Sequence, residues 1–391
     1  MDFLQQAQVL LPSLIAIRRQ LHMFPELSWQ EVKTTQTIAE FLHQLGLEVV
    51  TWEGETGLVA ILQGDQQGAT VALRADIDAL PIDEKNAVCY RSQNTGVMHA
   101  CGHDAHVACA LGAAAMLVRQ KHLIKGTIKF IFQPAEETGG GASLMIKRGV
   151  FTDSEVGAIF ALHSQPELPT GTIGLKSGPV MAANDPLFIT ITGKGGHGAL
   201  PQQARDPIIV AAAIIQALQT VVSRQIDPLA AAVISFGTIA GGTASNIIPE
   251  CVEMTGILRT IDPELRAKLR NRIKEIVEQV AKTWETEATV WFEKGYPAVI
   301  NPVDLVSFCQ KSLQTVIHNN KIVAPMPVMV TEDFSEFQEQ VPGVLLWLGV
   351  GHSAEGETRL LHNPHFDIDE SALAYGAAVF AQLAFDYLDQ A

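Results

Sequence analysis

The nine residues Met98–His106, MHACGHDAH, bring three histidines, a thiol and a carboxylate together. These are the donors a transition metal prefers. Only Gly102 separates Cys101 from His103, so the backbone can bend sharply enough to turn a thiolate and an imidazole toward one ion. On a strand the same spacing would place both on one face. One histidine alone would read as an ordinary loop or core residue. Five such groups in nine positions read as half of a metal site.

A second cluster follows Pro134 in QPAEETGGG, where Glu136 and Glu137 sit on a tight turn. One carboxylate can coordinate a cation while its neighbour takes a proton from a metal-bound water. The alternative is a solvated turn whose acids favour the N-terminus of the next helix. His163 closes the apolar run GAIFALH, and LHNPHFD supplies His362 and His365. One histidine of that last motif suffices, so His365 is expected to be a satisfied core residue. The donors then number Cys101, His103, Glu137, His163 and His362. Five exceed the three ligands plus water of a single catalytic zinc and point to two divalent ions sharing a bridging water. Sulfur, nitrogen and oxygen together suit zinc, cobalt, manganese or nickel, and exclude an all-oxygen magnesium or calcium cage.

These residues need a scaffold. ATVALRAD (69–76), GTIKFIFQP (126–134) and GAIFALH (157–163) are nearly continuous apolar runs, as for strands covered on both faces, and 105–119 and 142–148 read as helices between them. In such an α/β sheet, ligands collect beyond the carboxyl ends of the strands, where Asp76, Glu136, Glu137 and His163 fall. From 184 to 297 the order becomes β-α-β-β-α-β, that of a ferredoxin-like unit inserted into the first domain. The catalytic domain is therefore expected at 1–183 and 298–391, completed by the strand GVLLWLGV and a C-terminal amphipathic helix. A chain of 391 residues with 47% apolar content suits two domains.

Composition also excludes partners. A net charge of −15 would repel phosphate backbones and anionic lipid, so no nucleic acid is expected. The longest apolar stretch, Ile208–Ile215, breaks at Gln216, short of a membrane span. Arg18 and Arg19 follow rather than precede the N-terminal apolar residues, the reverse of a secretory signal. Five scattered cysteines suit reduced thiols. A cytoplasmic protein is expected.

The motifs RRQLHMFPELSWQE, RADIDALP, MHACGHDAH, QPAEE, GKGGHGALP, GGTASNIIPE, TEDFSEF and LHNPHFD, in this order, resemble the successive signatures of the dinuclear metallo-aminoacylases. That family includes hippurate hydrolases, N-acyl-amino-acid amidohydrolases and auxin-conjugate hydrolases. The resemblance implies a zinc-peptidase-like catalytic domain with a mixed sheet, interrupted by a lid domain that often dimerises. It implies metal ligands at Cys101, His103, Glu137, His163 and His362, and a general base at Glu136. It also implies that His197, from this subunit or a partner, stabilises the oxyanion, while Asn246 and Arg259 hold the substrate's carboxylate. An arginine fork matches a carboxylate, and a developing alkoxide needs a donor outside the metal shell. Wider relatives carry a His-x-Asp metal motif where this chain has Asp76 and Asp78, which leaves the role of Asp76 open. Asp78 is assigned to orienting an imidazole through its free N–H. Asp104 either does the same or caps the following helix.

The expected reaction is metal-dependent hydrolysis of the amide bond of N-acyl-L-amino acids, with dipeptidase or carboxypeptidase activity as the nearest alternative. A metal-free thiol hydrolase using Cys101 would leave Glu137, His163 and His362 without a role. A non-catalytic metal-binding protein would have no need of Glu136.

Overall fold

The computed structural model describes residues 2–152, 155–351 and 359–390. The chain divides into two compact units, one of residues 1–178, 300–326 and 336–391, the other of residues 179–299 and 327–335.

The first unit is built on an eight-stranded sheet. Its order is Glu48–Val50, Leu58–Gln63, Lys125–Gln133, Gln66–Asp76, Val156–Pro169, Gly343–Gly351, Ile173–Gly174 and Ile322–Val323. The four strands from Lys125–Gln133 to Gly343–Gly351 run parallel, and Leu58–Gln63 pairs antiparallel to them, so the sheet is mixed. The parallel strands are buried almost throughout, as their unbroken apolar runs require. Helices Phe3–Met23, His103–Val118 and Ala372–Gln390 pack on one another and share the sheet's core. Small residues allow this approach. A Cβ at Gly112 would come within 2.9 Å of Ala377 and 3.0 Å of Leu14.

The second unit has the antiparallel order Glu287–Phe292, Gly178–Thr192, Cys251–Thr260, Ala232–Gly241. Counted along the chain this is 4-1-3-2, the ferredoxin-like arrangement, with helices Pro207–Arg224 and Pro263–Thr283 closing its core. Residues 327–335 belong with this unit because Val328–Thr331 pairs in parallel with the strand Gly178–Thr192. Helix Pro207–Arg224 continues past Gln216, and by length and apolar composition it could cross a membrane. Here Val210, Ile214, Leu218 and Val221 enter the core, while Gln216, Gln219 and Thr220 face outward.

Candidate metal centre

Two strand ends, one mid-strand residue and one helix start converge in the first unit. Asp76 ends the strand Gln66–Asp76, Glu136 and Glu137 follow the strand Lys125–Gln133, and His103 opens the helix His103–Val118. That helix starts two residues earlier than the apolar periodicity implies. Gly102, at φ +86, reverses the chain immediately before it, and a Cβ there would lie 2.6 Å from Ser164 Oγ. Cys101 and His103 are thus brought together by a turn rather than by a strand. His163 lies within its strand, paired with Trp347, rather than at its end. The strand Val156–Pro169 outruns Gln66–Asp76, whose last pair with it is Arg74 with Ala161, so His163 still stands level with Asp76.

The donor spacings are those of a coordination shell. Cys101 Sγ lies 3.6 Å from His163 Nε2. Glu137 Oε1 lies 3.4 Å from His362 Nε2 and 3.9 Å from His103 Nε2. A tetrahedral ion with ordinary zinc bond lengths has edges of about 3.4 Å between N and O donors and about 3.6 Å between S and N. Two triads, Cys101 with His103 and His163, and Cys101 with Glu137 and His362, each keep their donor atoms within 4.8 Å of one another. They share the thiol. A third group of that span joins Glu136 to His103 and Glu137.

The electrostatics call for a cation. Burial pushes the Cys101 thiol far up, and Glu137, Glu136 and Asp76 push it further. Burial pulls His103 down, but Asp76, Asp78 and Glu137 outweigh it and raise the imidazole to about 10. Glu137 raises His362. His163, by contrast, is pulled down to about 3, first by burial and then by His106, so it presents a neutral lone pair. His103 Nε2 and Glu137 Oε1 are buried and make no hydrogen bond among the described residues. Orphaned buried polar atoms are costly, and a divalent ion between them would satisfy both.

Asp78 Oδ1 lies 3.2 Å, and its carbonyl 2.9 Å, from His103 Nδ1, leaving Nε2 as the lone-pair nitrogen toward the cluster. Its other oxygen accepts from Ser28 Oγ and from the Glu137 N–H. Asp76 is 3.7 Å from His103 Nε2 but is engaged elsewhere, by Arg74 at 2.7 Å and His106 at 2.5 Å. His106 also meets Ser164, so both its nitrogens are used. Asp104 orients His22 at 2.8 Å and pairs with Arg18, neither of which belongs to the cluster. His99 is buried and pulled down to about 4 by burial. His365 is exposed, not a core residue, because the loop holds Phe366 inward instead.

In the second unit the short strands Gly196–His197 and Ile247–Ile248 pair, and the Gly198 N–H donates to the Asn246 carbonyl. His197 and Asn246 are therefore neighbours, both exposed. Arg259 stands nine residues along the adjoining strand from Glu250, roughly 30 Å at a rise of ~3.3 Å per residue. Arg259 pairs with Asn184 near one end of the larger sheet, while Asn246 lies beside the separate two-stranded sheet that follows its other end, so one copy of this unit does not bring the two together. Arg259 Nη1 is buried without a hydrogen-bond partner among the described residues.

Residues 72–386 match the model of peptidase family M20/M25/M40. The chain belongs to this family. It is accordingly a hydrolase. It is 39% identical to the N-acetyl-L-cysteine deacetylase of Bacillus subtilis, over 96% of this chain and 88% of that one. It is 40% identical to the thermostable carboxypeptidase 2 of Saccharolobus solfataricus, over 96% and 95%. Among solved structures it is similar to the YxeP protein of Bacillus subtilis, described as a dinuclear metal binding peptidase, with 35% identity, a TM-score of 0.86 and coverage of 98% and 99%.

Sequence reasoning missed several residues around this M20-family centre. Ser28 and Glu31 reach Asp78 and Ala135, and Arg18 and His22 reach Asp104. All four lie in the single motif RRQLHMFPELSWQE, whose polar residues were the available signal.

Proposed function

We propose that the protein cleaves the amide bond of N-acyl-L-amino acids, releasing a carboxylic acid and a free amino acid. The observation that carries this is the pair of donor triads sharing Cys101, with Glu136 within reach of both His103 and Glu137. Two divalent cations held there, manganese, zinc, cobalt or nickel, would polarise the scissile carbonyl and make a water between them more acidic. Cys101, His103 and His163 form one half of the grip and Cys101, Glu137 and His362 the other. Asp78 fixes the His103 ring by its hydrogen bond. Glu136 accepts the proton of the attacking water and returns it to the departing amine.

The second unit serves as lid and dimerisation domain. Arg259 pairs with the substrate's carboxylate, a role supported by its unpartnered, buried guanidinium, which burial makes costly unless an anion completes it. His197 donates to the oxyanion, with Asn246 beside it. Their separation from Arg259 supports a homodimer in which they come from the partner subunit. The strand Ala232–Gly241 supports it too, since its outer edge has no partner among the described residues and Ile239 on it is exposed. Five free cysteines support a cytoplasmic setting.

The carboxypeptidase relative favours one second reading, cleavage of a C-terminal peptide bond by the same machinery. The test loads metal-free protein with each of the four metals and measures amine release from N-acetyl, N-benzoyl and indole-acetyl amino acids, and from blocked dipeptides. Release from the N-acyl amino acids is expected. Turnover of dipeptides alone establishes the second reading, and no turnover with any metal contradicts both.

A further inference from the structure

Glu136 follows a backbone outlier. Ala135 stands at φ +49, in the left-handed region that residues with a Cβ rarely adopt. Such a conformation persists only where surrounding contacts hold it. Here the Ala135 N–H donates to Glu31 Oε1 at 2.8 Å, while on the far side the Glu137 N–H donates to Asp78 at 3.0 Å. Glu136 is clamped between these two bonds.

Glu31 is unusual in its own right. It is wholly buried, although it occupies the N-cap of the helix Val32–Gln44. A carboxylate there would ordinarily accept from its own helix's first N–H groups. Its side chain makes no such bond, and its second oxygen instead accepts from Thr56 Oγ1 at 2.7 Å. No cation pairs with it among the described residues. A buried carboxylate without a cation is a costly way to hold a turn, and the two bonds it accepts are what it supplies in return. Three residues earlier Ser28 Oγ donates to Asp78 at 2.7 Å, so one short segment, 28–31, holds both sides of the Glu136 segment.

We propose that Glu31 is a positioning residue for the general base, holding Ala135 in its left-handed conformation so that the Glu136 carboxylate points at the attacking water. This rests on the proposed role of Glu136. Steady-state kinetics on the metal-loaded full chain, with metal content by elemental analysis, test it in Glu31→Leu, Glu31→Asp, Glu31→Gln, Thr56→Val and Glu136→Gln. Glu31→Leu is expected to lower kcat by about 10²-fold, the usual penalty for a misplaced catalytic group, with KM and bound metal unchanged. Glu31→Gln keeps an oxygen toward the Ala135 N–H and is expected to restore most of kcat. Thr56→Val removes the bond to the second Glu31 oxygen and leaves the Ala135 bond in place, so it is expected to lower kcat less than Glu31→Leu; an equal loss overturns the role given to the Ala135 bond. Glu31→Asp, shorter by one methylene, is expected to fold and still lose kcat, which covers the case of an unfolded Leu variant. Wild-type kcat in the Asp variant, or activity and metal falling together, overturns the inference while an inactive Glu136→Gln leaves the base assignment standing. An active Glu136→Gln overturns the base assignment itself.

Discussion

Two buried clusters of charge grow out of the same nine residues, and they differ in what their polar atoms do. In the first, Arg18 donates to Asp104 at 2.7 Å, Asp367 at 3.0 Å and Glu370 at 3.3 Å, and His22 lies 2.8 Å from Asp104 and 3.3 Å from Glu84. Cations and anions alternate, and Glu84 is completed by the Ser92 N–H. In the second, Cys101, His103, Glu137, His163 and His362 turn donor atoms toward common points, and His103 Nε2 and Glu137 Oε1 have no hydrogen bond among the described residues. His103 and Asp104 are adjacent in one helix, where successive residues project about 100° apart, so each enters a different cluster. In the first cluster each carboxylate has an arginine, histidine or N–H partner, as scaffold does. In the second, donors of the kind metals take converge on common points, as a binding site does.

The two clusters should respond to substitution in opposite ways. Glu136→Gln should cost about 10³-fold in turnover while both ions remain, measured by steady-state assay beside elemental analysis. Cys101→Ala should empty both positions at once, since the two triads share its thiol, yet leave the unloaded protein's urea midpoint close to that of unloaded wild type. Arg18→Met should do the reverse. It strands the buried Asp104 carboxylate and should cost about 3–5 kcal/mol in urea unfolding. If Arg18→Met instead removed metal without loss of stability, the division between the clusters would be wrong.

A smaller effect lies in acid. Burial pushes the Asp104 carboxyl up, but Arg18 and His22 outweigh it and hold it far below the usual carboxylate range. A depressed group contributes stability above its unfolded value, about 4, and that contribution is lost as pH falls toward the folded value. Melting temperatures of wild type should therefore drop more steeply below about pH 4 than those of Asp104→Asn. Parallel curves would remove Asp104 from the acid response.

Legibility in the sequence followed the range of the interactions. The β-α-β-β-α-β order of the second unit was readable, because hydrophobic periodicity is a local signal. The five side chains that converge here were readable as candidates because their chemistry marks them wherever they fall. The Arg18 network was not, since its partners lie 86 and 349 residues away. The place of His163 within its strand depended on pairing with Gly343–Gly351, which no local pattern reports. The separation of Asn246 from Arg259 was hidden for the same reason: both stand near strand ends, and only the sheet's register shows that the ends are opposite.

In the proposed centre two cations share the Cys101 thiolate. Anomalous diffraction from crystals grown with manganese or zinc tests it most directly. Two peaks about 3.5–4 Å apart, one beside His103 and His163 and the other beside Glu137 and His362, are expected. A single peak, or peaks that leave Cys101 uncoordinated, would contradict it.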